Sequence, residues 1–326
     1  MVKPNLNQDR QALLADVAEM YFFEGKNQAE IAKTIGVTRS NISRMLTEAR
    51  NAGIIQIHIN RPLNEDPSLA QQLVKRFALI GARVIVVEQP SHMLNLLGAV
   101  AAKELIFRLK PGWFVGTSWG TAVSAAVEEI KLSTPIPNLK VVQLLGALGA
   151  RIEQYDAHAI VRRLAEKLNA EGIYINAPFL VNDDKVATSL LENNSIQESL
   201  SFAKRADIAL LGVGSSDLTH CSYYLADYVS REEILEIQET GAIGDVCGRF
   251  YNIDGDNAAN EFQKRLIGIP LENLMKIPLR IGVAGGPAKI DPIIGALRGR
   301  LINVLVSDVQ TISEVINRTN EKHCLE

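Results

Sequence analysis

Cysteine is scarce in this chain, and its positions exclude a disulfide framework. Cys221, Cys247 and Cys324 lie far apart among 326 residues and form no CxxC pair. The five histidines show no HxxxH or HExxH spacing of the kind found in zinc sites. We therefore expect reduced cysteines and no protein-held metal.

Long apolar runs are also missing. A helix that spans a bilayer needs about 20 consecutive apolar residues, and no run in the sequence approaches that length. The first ten residues are polar and do not resemble a secretory signal. These observations predict a cytoplasmic protein without a membrane partner.

A strong excess of basic charge is absent as well, since the net charge is −3. The first 60 residues carry seven Lys and Arg against six Asp and Glu, so this segment is nearly neutral. Hydrophobic residues make up 47% of the chain, which is enough for sizeable cores. At roughly one domain per 150 residues, the length suggests two domains.

The segment from Gln28 to Arg44 has the pattern of a helix-turn-helix. Asn27 and Glu30 have the spacing of a capping box at the start of a helix, and Gly36 is suited to end that helix. Thr38 is then placed to cap a second helix. The apolar face of this second helix consists of Ile42, Met45, Leu46 and Ala49.

The polar face of the second helix suits a DNA major groove, because its side chains can donate to phosphates or read base edges. We predict DNA contacts for Gln28, Thr38, Arg39, Ser40, Asn41, Ser43 and Arg44. Residues 38–50 hold three arginines and one glutamate, so each module offers only a weak basic patch. Useful affinity then requires an oligomer on a roughly palindromic site. The alternative is a structural helical hairpin that does not touch DNA.

Two flanking segments support a complete DNA-binding module. An amphipathic pattern from Leu13 to Phe22 predicts a helix before the helix-turn-helix. Residues 54–59 alternate in polarity, which predicts a strand or wing after it. A three-helix module with an added β element commonly presents a recognition helix to DNA.

A domain boundary is predicted at residues 60–67, which are polar and contain two prolines. We therefore divide the chain into an all-α, winged-type helix-turn-helix domain, residues 1–60, and an effector domain, residues 61–326. In the second part, β-branched runs alternate with helical stretches, which predicts a Rossmann-like, doubly wound α/β domain. The predicted strands are 83–87, 113–116, 141–145, 172–176, 208–213, 280–283 and 303–306.

Ligands of such a sheet bind where strands end and loops lead into helices. The first such loop, residues 116–121, offers small residues, backbone N–H groups and the hydroxyls of Thr117 and Ser118, which together suit a phosphate. Its GxSxG spacing also matches the nucleophile elbow of hydrolases, with Ser118 as nucleophile. The triad partners would be Asp207 or Asp217 with His220. A purely structural turn is the third possibility.

Four further segments carry glycines. Residues 144–149 precede Asp156 and His158, which can either bind sugar hydroxyls or simply begin a helix. Residues 212–217 lack the third glycine of a dinucleotide fingerprint, so no nicotinamide cofactor is expected. Asp245 follows a glycine turn as a candidate hydroxyl acceptor, with a solvated turn aspartate as the alternative. Lys289 ends a glycine-rich loop that is not a Walker A motif, and it can reach a phosphate.

Taken in order, the helix-turn-helix and the motifs GTSWG, LGALG, LLGVG, GDVCGRF and GVAGGPAK resemble the SorC family of bacterial transcriptional regulators across essentially the whole chain. The resemblance implies an effector domain similar to sugar-phosphate isomerases, a phosphorylated sugar or polyol as effector, no other cofactor, and dimers or tetramers. It implies sugar-operon control by allostery rather than catalysis. A sugar-phosphate isomerase-like enzyme is the alternative.

The resemblance also implies an effector site. It places the phosphate at Thr117, Ser118, Gly120 and Lys289, and the hydroxyls at Asp156, Asp245 and Gln143. The full predicted set is Thr117, Ser118, Gly120, Thr121, Gln143, Gly146, Asp156, Asp245 and Lys289. Some family members have an arginine in the second glycine loop where this chain has Leu145, Gly146 and Ala147, so a monophosphate is expected.

Overall fold

The structure is a computed structural model that describes residues 6–55, 63–148 and 155–320. The chain divides into two compact units, Met1–Pro62 and Leu63–Glu326. Cys324 and Gly149, both mentioned in the sequence analysis, lie outside the described residues. No helix of the described part has both the length and the apolar character needed to cross a membrane.

The first unit is a three-helix module of α1 (Leu6–Phe22), α2 (Gln28–Ile35) and α3 (Arg39–Asn51). The predicted capping box at Asn27 and Glu30 is present, and Gly36 ends α2 in the left-handed region with φ 77°. Thr38 caps α3 by accepting a hydrogen bond from the backbone N–H of Asn41. The buried core consists of Leu14, Val17, Ile31, Ala32, Ile42, Met45 and Ala49.

The flanks of this module differ from the sequence expectation. Helix α1 forms, but its last aromatic residues, Tyr21 and Phe22, are exposed instead of packing into the core. Ile54 and Ile55 pack against the core from a bend rather than from a strand. The remainder of the predicted wing, residues 56–59, lies outside the described residues.

The second unit is built on a parallel sheet of seven strands, each at one of the predicted positions to within a few residues. Their order is β1-β9-β8-β5-β2-β3-β4. The strands are β1 (Gly81–Ile85), β2 (Phe114–Thr117), β3 (Lys140–Gln143), β4 (Glu171–Ile173), β5 (Ile208–Gly212), β8 (Leu279–Val283) and β9 (Val304–Asp308). Strands β3 and β4 lie on one side of β2, whereas β5, β8 and β9 lie on its other side. The sheet therefore has a topological switch point between β2 and β5.

Helices cover both faces of the sheet, so successive strand residues are buried in different cores. Val141 lies in one hydrophobic cluster and Val142 in the other. The helices are α4 (Pro67–Phe77), α5 (Met93–Arg108), α6 (Thr121–Glu128), α7 (Ala157–Leu168), α8 (Asp184–Leu191), α9 (Asn194–Ala203), α10 (Ser222–Leu225), α11 (Arg231–Glu239), α12 (Asn260–Gln263), α13 (Leu271–Leu274), α14 (Ile290–Arg298) and α15 (Val309–Asn320). Short 3-10 turns, Pro90–His92 and Pro287–Lys289, precede α5 and α14.

A buried antiparallel hairpin, β6 (Gly244–Val246) and β7 (Arg249–Tyr251), is an element that the sequence analysis did not predict. Cys247 and Gly248 form its two-residue turn with φ values of 53° and 74°, as a primed hairpin turn requires. The buried Arg249 guanidinium donates to the carbonyl oxygens of Gln263, Gly268 and Ile269. Burial lowers the pKa of Arg249, because it removes the guanidinium group from water. The three carbonyl oxygens replace the lost hydrogen bonds to water, and they also attach the hairpin to residues 263–269.

Helices α5 and α6 approach closely at Gly98, which gives the first prediction. A Cβ added there would lie 2.6 Å from the carbonyl carbon of Ala125 on α6. Gly98→Ala should therefore force the two helices apart and lower the free energy of unfolding by about 1–3 kcal/mol. Urea unfolding followed by circular dichroism measures this, and an unchanged midpoint would show that the helices can separate without cost.

Candidate functional site

A cavity of about 300 Å³ lies at the carboxyl ends of β2, β5 and β8, beside the switch point of the sheet. Ser118 and Trp119 follow β2, Gly212 ends β5 and leads to Val213 and Gly214, and Ala284 and Gly285 follow β8. A cavity of this size, at this place in a doubly wound sheet, is typical of a small-molecule site.

Three helices begin at the cavity without a side-chain N-cap. These are α5, α6 and α14. Met93 and Thr121 are the first residues of α5 and α6, and Lys289 ends the 3-10 turn before α14; all three line the cavity. The other described helices of eight residues or more with an observed start are capped by Asn27, Thr38, Asp66, Asp156, Asp183, Asn193, Ser230 and Asp308. At α6 the uncapped N-terminus leaves backbone donors and a partial positive charge available. Helices α5 and α14 instead continue from 3-10 turns, in which the carbonyl oxygens of Pro90 and Pro287 accept from the N–H groups of Met93 and Ile290. The cavity thus favours an anion.

Lys289 is the sole cation among the described residues that line the cavity. Burial lowers the pKa of its ammonium group, and the nearby Asp245 carboxyl partly offsets this effect. No described carboxylate lies within salt-bridge distance of this ammonium group. A bound anion would therefore gain a partly desolvated positive charge that no ion pair in the described structure already neutralises.

Asp245 forms the floor of the cavity from β6. Its Oδ2 accepts hydrogen bonds from the hydroxyl of Tyr223 at 2.6 Å and from the backbone N–H of Gly248 at 3.1 Å. Gly214 makes room for the carboxyl, because a Cβ there would lie 1.7 Å from Oδ1. Burial raises the pKa of Asp245, although the hydrogen bond from Tyr223 works against this. The carboxyl is buried rather than being a solvated turn aspartate.

Five of the predicted effector residues meet at this cavity: Ser118, Gly120, Thr121, Asp245 and Lys289. The Oγ of Ser118 makes only long contacts, at 3.4 Å, with the carbonyl oxygen of Trp119 and the backbone N–H of Gly212. Thr121 is the first residue of α6 and is exposed at the cavity. These positions leave both hydroxyls available to a ligand.

Thr117, Gln143 and Gly146 do not line the cavity, and their predicted role in effector binding stays a prediction. The Thr117 hydroxyl is buried and donates to the carbonyl oxygen of Ser118. Gln143 donates to the carbonyl oxygen of Leu145 and accepts from the N–H of Ile175, so both ends of its amide are used. Gly146 permits close backbone packing, since a Cβ there would lie 2.5 Å from the carbonyl oxygen of Pro178.

Asp156 is likewise placed by the structure as a helix cap, which was the alternative considered from sequence. It accepts from the backbone N–H groups of Leu148 at 2.6 Å and His158 at 2.9 Å. Burial alone would raise the pKa of Asp156, but hydrogen bonds from His158 and from the two N–H groups hold it below its ordinary value. The Asp156 carboxylate in turn raises the pKa of His158.

This pair predicts a measurable pH dependence. Because folding raises the pKa of His158, the protonated imidazole stabilises the fold fully below its ordinary pKa of 6.5. This stabilisation is lost as pH rises through the pKa of His158 in the folded protein. Because folding lowers the pKa of Asp156, the ionised carboxylate stabilises the fold fully above its ordinary pKa of 3.8. This stabilisation is lost as pH falls through the pKa of Asp156 in the folded protein. The pair therefore stabilises most between these two values. In NMR titrations, Asp156→Asn should bring the His158 pKa down towards 6.5, and an unmoved value would contradict the assignment.

The structure does not assemble the hydrolase triad. His220 contacts Asp217 at 3.0 Å, but both line a separate surface depression that does not include Ser118. Asp207 accepts a hydrogen bond from the backbone N–H of Phe114 instead of approaching a histidine. No group of His, Cys, Asp and Glu within the described ranges could hold a metal ion.

The helix-turn-helix exposes the side chains predicted to contact DNA. Arg39, Ser40, Asn41, Ser43 and Arg44 are all exposed on α3, away from its buried stripe, whereas Gln28 is half-buried and Thr38 is occupied as a cap. Glu48, the acidic residue of α3, is paired with Arg10 of α1 at 2.6 Å. This pairing offsets the negative charge on the helix and favours approach to phosphates.

Sequence reasoning missed one side of the cavity entirely. It is formed by Pro90, Met93, Leu94 and Leu97, and Tyr223 and Cys247 also line the cavity without having been predicted. Their proximity to Ser118 depends on the strand order, which the sequence does not display.

Comparisons with known proteins agree with this architecture. Residues 61–317 match the family described as "Putative sugar-binding domain", and residues 14–52 match sigma-70 region 4. The chain is 30% identical over 311 residues to the sorbitol operon regulator of Klebsiella pneumoniae, covering 94% of this chain and 98% of that protein. It is 32% identical over 311 residues to the transcriptional regulator LsrR of Enterobacter sp. (strain 638), covering 94% and 93%.

A solved structure extends the similarity to the fold. The crystal structure of the full-length sorbitol operon regulator SorC from Klebsiella pneumoniae matches with a TM-score of 0.72 at 30% identity, covering 94% of this chain and 99% of that one. These similar proteins are regulators of transcription, not enzymes.

Proposed function

The chain belongs to the SorC family of DNA-binding transcriptional regulators with a sugar-binding domain, and on this premise we propose how it is controlled. A phosphorylated sugar or polyol binds in the cavity and changes the affinity of α3 for operator DNA. The observation that carries this proposal is the convergence of the uncapped start of α6 and the Lys289 ammonium group on one cavity.

The phosphate is best supported at the start of α6. Thr121 and Ser118 offer hydroxyls there, the N-cap Gly120 has no side chain to compete, and Lys289 lines the same cavity. The glycine-rich loop that ends at Lys289 is a poorer place, because the N–H of Gly286 already donates to Asp308 at 3.0 Å. A phosphate at a helix N-terminus gains both hydrogen bonds and dipole stabilisation.

The sugar hydroxyls are assigned to the cavity floor. Asp245 is fixed by Tyr223 and Gly248, so it presents a carboxyl in one orientation to a ligand. A single cationic side chain in the described lining supports a monophosphate rather than a bisphosphate. No further cofactor enters this proposal.

The weak basic patch of each α3 supports a dimer or tetramer on a pseudo-palindromic operator in the cytoplasm. Effector binding then favours one arrangement of the subunits, and its effect on the operator can be no larger than its differential affinity for the two arrangements. An operon for sugar or polyol catabolism is the target that fits such an effector.

Effector binding can be tested through Trp119, which lines the cavity. The chain has two tryptophans, so Trp113→Phe leaves Trp119 as the single reporter. Titration with sugar phosphates should change its fluorescence saturably, whereas the unphosphorylated sugars should not. An equal response to a sugar and its phosphate would contradict the phosphate assignment.

A further inference from the structure

The cavity contains an apolar wall that neither the phosphate nor the hydroxyl contacts use. We define it as Pro90, Met93, Leu94, Leu97, Val283 and Ala284, which come from the start of α5 and the end of β8. The polar side chains of the described lining come from other segments: those that follow β2 and β5, the β6–β7 hairpin, and the turn that ends at Lys289. A ligand in this cavity therefore meets polar groups on one part of its surface and hydrocarbon on another.

Met93 brings the apolar wall close to the proposed cation. Its Sδ lies 3.2 Å from the position of a Cβ built on Gly285 and 3.7 Å from one built on Gly286. This places the thioether over the glycine loop that leads to Lys289. Leu97 is buried, but Leu94 remains 39% exposed although it lines the cavity. A ligand that covers Leu94 would remove apolar surface from water.

We propose that the effector presents a deoxy carbon or a methyl group to the apolar wall, and so belongs to the deoxy or methyl-bearing sugar phosphates. A hydroxyl against Met93 and Leu94 would lose its water and meet no hydrogen-bonding side chain of the wall. The unpaired hydroxyl should lower affinity by about tenfold relative to the deoxy ligand. This inference rests on the proposed function, because it takes the phosphate to lie at the start of α6.

Matched ligand pairs test the inference directly. The full-length Trp113→Phe protein would be titrated with ribose 5-phosphate and 2-deoxyribose 5-phosphate, with glucose 6-phosphate and its 2-deoxy counterpart, and with fructose 1-phosphate and its 6-deoxy counterpart. The deoxy member of at least one pair should bind about tenfold more tightly. Equal affinities within every pair overturn the inference and leave the proposed function intact. If no sugar phosphate binds, both fail.

Two leucine variants show whether the apolar wall causes the preference. Leu94→Asn adds a hydrogen-bonding group to the wall, so the affinity ratio of the preferred pair should fall to near one. Leu235→Asn on α11 is the matched control, because Leu235 has 40% exposure against 39% for Leu94 and does not line the cavity. The control should keep the full ratio. A ratio that Leu94→Asn leaves unchanged would overturn the assignment to the wall.

Discussion

Lys289→Met is expected to weaken sugar-phosphate binding by about tenfold to a hundredfold, the range expected for loss of a charge-assisted hydrogen bond. Methionine keeps the apolar stem of lysine and removes the ammonium group, which is the sole cation of the described cavity lining. Operator affinity without effector should not change, because Lys289 lies in the effector unit. Isothermal titration calorimetry and operator binding measure the two quantities separately.

The control is Lys276→Met, which removes an exposed lysine outside the cavity lining. It should leave effector affinity unchanged at the same net charge. Because burial lowers the pKa of Lys289 and a bound phosphate would raise it, binding should also take up protons as pH rises through the free-state pKa. A Lys289→Met protein that binds and responds at the original ligand concentration would refute the site.

Arg44→Ala should cause the second large loss, in operator affinity. Arg44 is exposed on α3, whose acidic Glu48 is already paired with Arg10. Loss of one contact to a base edge reduces the binding free energy by about 1–3 kcal/mol. Two helix-turn-helix modules on a palindromic operator lose two such contacts. If Arg44 contacts a phosphate instead, its loss would reduce the slope of log affinity against log salt concentration by about one for each helix-turn-helix module.

Arg50→Ala provides the matched control on the same helix. Arg50 is exposed in the last turn of α3, so its removal changes the charge of the module equally but at the far end. Recognition helices of this class contact bases through their N-terminal residues. Equal losses from Arg44→Ala and Arg50→Ala would indicate general electrostatics, and no loss from Arg44→Ala would remove it from the interface. Sugar-phosphate affinity should be unchanged in both variants.

Much of the fold could be predicted because its signals are local. The capping box at Asn27 and Glu30, the left-handed Gly36 and the cap at Thr38 each depend on residues a few positions apart. The seven parallel strands were recognisable because strands buried on both faces read as continuous apolar runs. The β6–β7 hairpin was missed because each of its strands has only three residues and its turn pairs a cysteine with a glycine.

The site was harder to predict, since a polar residue after a strand has several possible partners. Gln143 and Asp156 follow the same rule as Ser118 and Asp245, yet their hydrogen bonds are used within the fold. The apolar wall also depends on the strand order β1-β9-β8-β5-β2. That order brings residues 90–97, which follow β1, and Lys289, which follows β8, to the same cavity. Sequence order alone carries neither piece of information.

Fluorescence anisotropy on the protein's own upstream DNA tests most directly whether a phosphorylated sugar controls operator binding. At fixed salt, the complex would be titrated with a panel of sugars and their phosphates. We predict that one phosphorylated sugar shifts operator affinity severalfold or more, that its unphosphorylated form does not, and that Lys289→Met abolishes the shift at the same concentration. Specific operator binding that no sugar phosphate alters, or that the free sugar alters equally, would contradict the account.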